Sequence, residues 1–425
     1  MPARALWYNL SHAPLKPMDS TVLGIFAVVY LGMILGEIPG LALDRTGVAL
    51  LGAIALLASE RVSPQAAWAA VDVSTIALLF GLMVLSAQFR LGGFYALVTR
   101  RLADARVSPE VLLALLVAVA GALSALLAND IVCLAMAPVL VAGCARRNLD
   151  PVPFLLALAC ASNVGSAATL IGNPQNMLIG QVLRLSFAGY LLDAGVPAVV
   201  GLGAVWWVIR SLTRGRWHKA APVPAVEAAV FNGWQTVKGL LVLAVIVALF
   251  LLTSWPRDVV ALTAAGVLLC SRRMASRDIL GEVDWHLLVL FMGLFVVNHA
   301  LAASGTLAQL MFAAAGTGID LAHPGWLMGV TVVLSNLVSN VPAVMLLLPA
   351  ATRPLSGPVL ALASTLAGNL FIVGSIANII VVDQAARLGV RIGWRQHARV
   401  GVPVTVVTLA LAAAWLWIRA GLRAG

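Results

Sequence analysis

Residues 161–176 read ASNVGSAATLIGNPQN and sit inside an otherwise apolar stretch from about Pro153 to Leu183. A helix facing lipid does not tolerate such a centre. Pro174 cannot donate to the carbonyl four residues earlier, and Gly165 and Gly172 relax the backbone. Amides and carbonyls freed in hydrocarbon need partners, so broken backbone survives only inside protein or beside water. The stretch therefore predicts an interrupted transmembrane helix whose half-helix ends face a binding site. The rest of the chain is read as holding this break, and a second like it, near mid-membrane.

Composition agrees with a membrane setting. Of 425 residues, 61% are hydrophobic and only 10% charged, against about 25% charged in soluble domains. Apolar runs of helical length recur from Val22 to Ile418, without the alternation of a membrane barrel. The expected class is an all-α polytopic membrane protein. The tail 1–20 lacks an apolar h-region, so no cleaved signal peptide is expected. The net charge of +10 reflects basic loops at span ends and calls for no nucleic acid. Cys133, Cys144, Cys160 and Cys270 show no metal spacing and read as small core residues.

Spans are expected at 21–37, 46–59, 74–98, 153–184, 190–212, 237–253, 257–271, 286–303, 358–384 and 400–418. Between them, 110–146 and 324–352 each read as two apolar arms around a polar tip. The tips are Ala128-Asn129-Asp130 and Ser339-Asn340-Val341. The arms of the second hold about 12 to 15 residues, short of the roughly 20 that cross the core, so it should be a re-entrant hairpin. The first follows by analogy.

The two halves match. VDVSTIALLFGL (71–82) resembles VDWHLLVLFMGL (283–294), a shift of 212, and LSALLANDIVCLAMAP (123–138) resembles LSNLVSNVPAVMLLLP (334–349), a shift of 211. ASNVGSAATLIGNPQN aligns without gaps to ASTLAGNLFIVGSIAN (363–378), and the GVP of 195–197 recurs at 401–403. A steady shift means two copies of one unit. Each copy has five crossings, one of them broken, plus a hairpin. Five is odd, so the copies should be inverted, the architecture of secondary transporters. The expected division is tail 1–20, first inverted repeat 21–212, cytoplasmic linker 213–236 and second repeat 237–420. With the 99–109 loop inside the cell, 18 basic residues lie inside and 8 outside. The outer eight include Arg184, Arg257 and Arg353. Both termini should then face outward from a plasma (inner) membrane. The tryptophans cluster at span ends and read as an interfacial belt.

Both tips and both breaks start half-helices, whose free amides suit an anion, while carbonyls and side-chain amides there suit Na+. The candidate binding residues are Asn129, Asp130, Ser162, Asn163, Gly165, Thr169, Gly172, Asn173 and Asn176. In the second half the candidates are Ser339, Asn340, Ser364, Thr365, Gly368, Asn369, Gly374, Ser375 and Asn378; Phe371 aligns with Thr169, and Asn369 replaces an alanine. Asp130 is the only acidic side chain in these motifs, fit to ligate Na+ or carry a proton; it also fits as a helix cap. His299 reads as a packed, hydrogen-bonded residue, and Glu37 and Asp383 as interfacial. Arg90 lies inside a span, where its head group would snorkel.

These motifs resemble the ion transporter superfamily, which contains divalent anion–sodium symporters, citrate transporters, arsenite efflux permeases and NhaD-type antiporters. The 161–176 stretch is similar to the citrate-transporter-like signature. The resemblance implies a scaffold, two re-entrant hairpins, elevator-type alternating access and a homodimer. By position it places Asn129, Gly165 and Gly172 in one cation site and Asn340, Gly368 and Gly374 in its mirror. The dicarboxylate branch carries Ser-Asn-Thr at both tips; Ala-Asn-Asp and Ser-Asn-Val depart from it. The expected function is secondary transport of a small anion or oxyanion coupled to Na+ or H+, with no other cofactor. Arsenite efflux and Na+/H+ antiport are the alternatives. No HExxH or GxSxG motif points to an enzyme.

Overall fold

A computed structural model describes residues 19–36, 40–220, 222–224 and 230–424. The expectations for the tail 1–18 and for Glu37 lie outside these residues. Among the described residues the secondary structure is helical, apart from one isolated bridge between Leu149 and His218. Seven helices among the described residues are long and apolar enough to cross a membrane.

The first half runs α1 (Ser20–Leu35), α2 (Arg45–Ala58), α3 (Pro64–Ala70), α4 (Val73–Leu91), α5 (Phe94–Ala103), α6 (Pro109–Leu126), α7 (Asn129–Arg146), α8 (Pro151–Ser166), α9 (Pro174–Val182) and α10 (Phe187–Thr213). The second runs α11 (Gly233–Leu252), α12 (Arg257–Leu269), α13 (Ser276–Gly281), α14 (Trp285–Ala303), α15 (Thr306–Gly316), α16 (Pro324–Val338), α17 (Asn340–Leu347), α18 (Ser356–Ala367), α19 (Ile376–Arg387) and α20 (Trp394–Ala424). Many start at a short polar cap. Asp72 accepts from the Thr75 amide at 2.7 Å, and Asp284 accepts from Leu287 at 2.9 Å.

Both expected breaks are present. Helix α8 stops at Ser166, residues 167–173 are not helical, and Pro174 starts α9 as its first residue, where a missing amide costs nothing. The second break has no proline at its restart; α18 ends at Ala367, and a short 3-10 turn at Ile372–Gly374 precedes α19. The tips also fall where expected, between α6 and α7 and at Ser339 between α16 and α17. Ser339 has φ of 75°, a left-handed conformation costly for serine, which marks the second tip as strained.

Other expectations need correction. The span 74–98 is two helices, because Gly93 takes a left-handed conformation (φ 69°) between α4 and α5; Gly305 (φ 78°) does the same between α14 and α15. The arms of the first hairpin are 18 residues each, whereas those of the second are 15 and 8. His299 is exposed on α14 rather than packed. Trp217 is buried against Phe154, with ring centroids 5.8 Å apart, rather than lying in an interfacial belt.

Packing crosses between the halves. A Cβ added at Gly81 of α4 would lie 2.6 Å from the backbone of Ala261 on α12. One added at Gly293 of α14 would lie 2.8 Å from the backbone of Ala49 on α2. Each fourth helix, α4 and α14, thus packs on the second helix of the opposite half, and only glycine permits the approach. The hairpins, broken helices, α10 and α20 pack mainly among themselves: α6 and α7 on α8, α16 on α18, α19 on α7 and α8, and α10 on α20.

Candidate functional site

The two breaks meet at Asn163, one turn before the end of α8. Its amide nitrogen donates to Oδ1 of Asn369 at 2.9 Å and of Asn378 at 3.1 Å, both at the second break. Its Oδ1 accepts from Ser375 Oγ at 2.8 Å and from Asn129 Nδ2, at the first tip, at 3.4 Å. A side-chain amide has two donors and two acceptor sites; all four are used. Asn163 is buried, as are Asn129, Asn369, Ser375 and Asn378.

The breaks are held open by equivalent bonds. Asn176 Nδ2 donates to the carbonyls of Ser166 (3.3 Å) and Thr169 (3.0 Å), and Asn378 Nδ2 to those of Gly368 (2.7 Å) and Phe371 (3.1 Å). Each asparagine satisfies carbonyls ten and seven residues earlier, which the missing helical turn would otherwise strand. A third bond comes from the last helix of each half. The Tyr190 hydroxyl donates to the Ala167 carbonyl at 3.0 Å, and His397 Nε2 donates to the Asn369 carbonyl at 3.0 Å.

Around the first break, Ser162 donates to the Asn129 carbonyl (3.2 Å) and accepts from Ser124 (2.9 Å). Thr169 donates to the Ala125 carbonyl. Asn173 Nδ2 donates to Ser166 Oγ (3.0 Å) and, across the halves, to Thr365 Oγ1 (3.2 Å), which also accepts from Gln175 (3.1 Å). Ser364 bonds only within its own helix, to Ala361. The glycines serve close approach. A Cβ at Gly165 would lie 2.2 Å from the Gly121 carbonyl, and one at Gly172 would lie 2.2 Å from that of Ser166.

The second tip is different. Among the described residues, Asn340 Oδ1, Asn336 Oδ1 and Ser335 Oγ are buried without a hydrogen-bond partner, as is Asn369 Nδ2 at the second break. Asn336 Nδ2 donates to the Ala367 carbonyl at 3.2 Å, and a Cβ at Gly374 would lie 2.7 Å from Asn336 Oδ1. Two orphaned amide oxygens therefore stand where the second tip meets the second break. At the first tip, Asp130 is half-buried in the first turn of α7, and its carboxylate makes no hydrogen bond or ion pair among the described residues. It caps nothing.

The bonds above bring together Asn129, Ser162, Asn163, Asn173, Asn176, Thr365, Asn369, Ser375 and Asn378; among the described residues the side chains of Asp130, Ser339 and Asn340 make no hydrogen bond to them, Gly165 and Gly172 pack against backbone, and Ser364 bonds within its own helix. Sequence reasoning missed Asn336, Gln175, Tyr190 and His397. Asn336 lies in the quoted second-tip motif, opposite Ala125, and an intramembrane amide was a usable signal. Tyr190 and His397 are single polar residues near span starts, with no local pattern to mark them.

Two cavities flank the cluster at opposite ends of α4. One, of about 1080 Å³, is lined by Asp72 and Ser74 at its start. The other, of about 690 Å³, is lined by Arg90 and Leu91 at its end. Nineteen helical residues put these ends about 27 Å apart. None of the cluster residues lines either cavity.

Residues 28–359 match the family described as citrate transporter. The chain belongs to the citrate transporter family. Its relatives are membrane transporters. An uncharacterized transporter of Mycobacterium tuberculosis is 32% identical over 380 residues, covering 83% of this chain and 87% of the relative. The silicon efflux transporter LSI3 of Oryza sativa is 27% identical over 485 residues, covering 95% and 98%. The YdaH transporter of Alcanivorax borkumensis superposes with a TM-score of 0.56 at 15% identity, covering 99% and 98%, a likeness of fold alone. This citrate-transporter-family chain is a multi-pass membrane transporter.

Proposed function

We propose that this chain is a secondary active transporter of a small anion or oxyanion, coupled to Na+ or H+. The observation that carries the reading is the Asn163 junction, where both helix breaks meet a hairpin tip in a buried polar cluster between two cavities. Such a cluster is costly in a membrane unless it serves a pathway. The half-helix starts at Asn129, Pro174, Asn340 and Ile376 supply amides for an anion without a basic side chain. The unpartnered oxygens of Asn336 and Asn340, together with Gly368 and Gly374, are our candidates for a neutral oxygen set that suits Na+. Asp130 at the first tip suits Na+ or a proton. The hairpins, broken helices, α10 and α20 form the moving body of an elevator. It slides on α1, α2, α4, α11, α12 and α14, opening to each cavity in turn. Two inverted repeats, outward termini, an inner-membrane setting and a homodimer complete the proposal.

The test is uptake and counterflow in proteoliposomes with citrate, phosphate, arsenite and silicic acid, with Na+ or pH gradients. Flux of an anion driven by either gradient is expected; no anion flux under any gradient refutes it. A second reading is efflux of a neutral hydroxylated metalloid, favoured by the silicon efflux relative and by a cluster made of amides and hydroxyls. The same panel separates the two.

A further inference from the structure

The larger cavity gathers arginines from separate elements. Arg184 follows α9 and is held in a left-handed conformation (φ 50°), Arg257 starts α12, and Arg353 lies in the loop before α18. Arg184 is exposed and has no ion pair among the described residues. Arg257 Nη2 donates to the carbonyl of Gly180 on α9 at 2.9 Å, a neutral partner, and Arg353 reaches Asp320 only at 3.9 Å. Asp72, which caps α4, and Asp258, beside Arg257, also line the cavity, so three arginines face two carboxylates there. The opposite cavity has two arginines as well, but Arg90 is paired with Glu282 and Arg387 with Asp383. The charge is therefore balanced at one end of α4, two arginines against two carboxylates, and positive in excess at the other.

We propose that the larger cavity is an anion-collecting vestibule in which Arg184 and Arg257 hold an oxyanion before it reaches the buried cluster. It rests on the anion reading above and adds the end of the molecule at which anions load. Arg257 has a further role. It binds the last turn of the broken helix from a helix of the opposite half, and a planar guanidinium can share its donors between the Gly180 carbonyl and an anion. Loading is thereby linked to the contact that holds α9 in place. A lipid phosphate head group has the same chemistry as a free oxyanion; the vestibule is assigned to the free ion.

The test uses Thr352→Cys, on the cavity wall and half-buried, in a Cys270→Ser background, because the other three cysteines are buried. Rates are measured with an anionic and a cationic methanethiosulfonate and normalised to free cysteine. The anionic reagent should be favoured. One charge about 8 Å away in water changes the rate ratio about fivefold, so Arg184→Gln and Arg257→Gln should each lower it by about that factor. Should Arg257→Gln fail to fold, the exposed Arg184 decides. Millimolar phosphate or citrate should slow labelling, and Arg257→Lys should keep the ratio but lose most of that protection. A ratio equal to that of free cysteine, or one unmoved by Arg184→Gln, overturns the vestibule. Undiminished protection in Arg257→Lys removes Arg257 as a ligand. Protection by phosphatidylglycerol nanodiscs but not by phosphate or citrate overturns the assignment to a free ion. Labelling needs no transport, so a preserved ratio alongside no anion flux would sink the proposed function and leave the vestibule.

Discussion

Replacing Asn163 by alanine removes four hydrogen bonds at once, two donated and two accepted. Interhelical bonds inside membranes average about 0.6 kcal/mol each, which gives about 2.4 kcal/mol for the set. Some partners then have no alternative. Asn378 cannot rotate its amide toward the gap, because its Nδ2 already holds the Gly368 and Phe371 carbonyls. Asn369 can, since its Nδ2 is without a partner. An orphaned buried acceptor costs about 1–3 kcal/mol, so the expected loss is about 3–5 kcal/mol. Asn163→Asp should be milder on the Asn369 side, where rotation restores a donor, and repulsive toward Asn378. The assay is reversible unfolding in mixed micelles, with Asn163→Ala and Asn378→Ala combined in a double-mutant cycle. A coupling below about 0.5 kcal/mol would place these residues outside one network and refute the junction.

Four further outcomes are expected. Gly165→Ala drives a methyl into the Gly121 carbonyl and should cost about 1–3 kcal/mol in the same unfolding assay. Asp130→Asn should leave the unfolding midpoint unchanged, because the carboxylate bonds nothing among the described residues, while abolishing gradient-driven flux; full flux in that variant removes Asp130 from coupling. Tyr190→Phe strips a donor from Ala167 and an acceptor from Asn176, and should cost about 1–2 kcal/mol by thermal melting. Asn340→Ala removes an oxygen that bonds nothing, so stability should hold while Na+-induced thermal stabilisation shrinks; a Na+ response equal to that of the unchanged protein would exclude Asn340 as a ligand.

What could be read from the chain was whatever backbone chemistry forces. Pro174 and the glycines interrupt a hydrophobic run, so the first break was visible, and the second followed from its alignment. The tips were visible because 324–352 is too short to cross twice. The split after α4 was not, since Gly92-Gly93 sits in an apolar run long enough for one helix, and only the left-handed turn at Gly93 separates the pieces. Asn163 was one candidate among many polar residues; its place at the junction depends on how α8 packs on α19, which no local pattern encodes. Tyr190 and His397 escaped for the same reason, since each acts on a break in another helix. Trp217 was misread because span-end tryptophans usually sit at the lipid interface, whereas the bridge at His218 tucks this loop against α8.

The halves share the machinery of the breaks but not that of the tips. Asn176 and Asn378 do the same work, as do Tyr190 and His397, so the restarted helices are held by one scheme. At the first tip, Ser124 bonds Ser162, which bonds the Asn129 carbonyl. The aligned Ser335 has no partner, and Asn336 stands where the first half has alanine. A buried polar group without a partner destabilises the protein unless something else satisfies it. The first tip is complete within the protein and adds only the Asp130 charge, whereas the second leaves neutral oxygens to be met from outside. Under the ion-coupled transport we propose, that difference argues against two equal ion sites and for a division of labour, with charge carried at Asp130 and neutral oxygen ligation at Asn336 and Asn340.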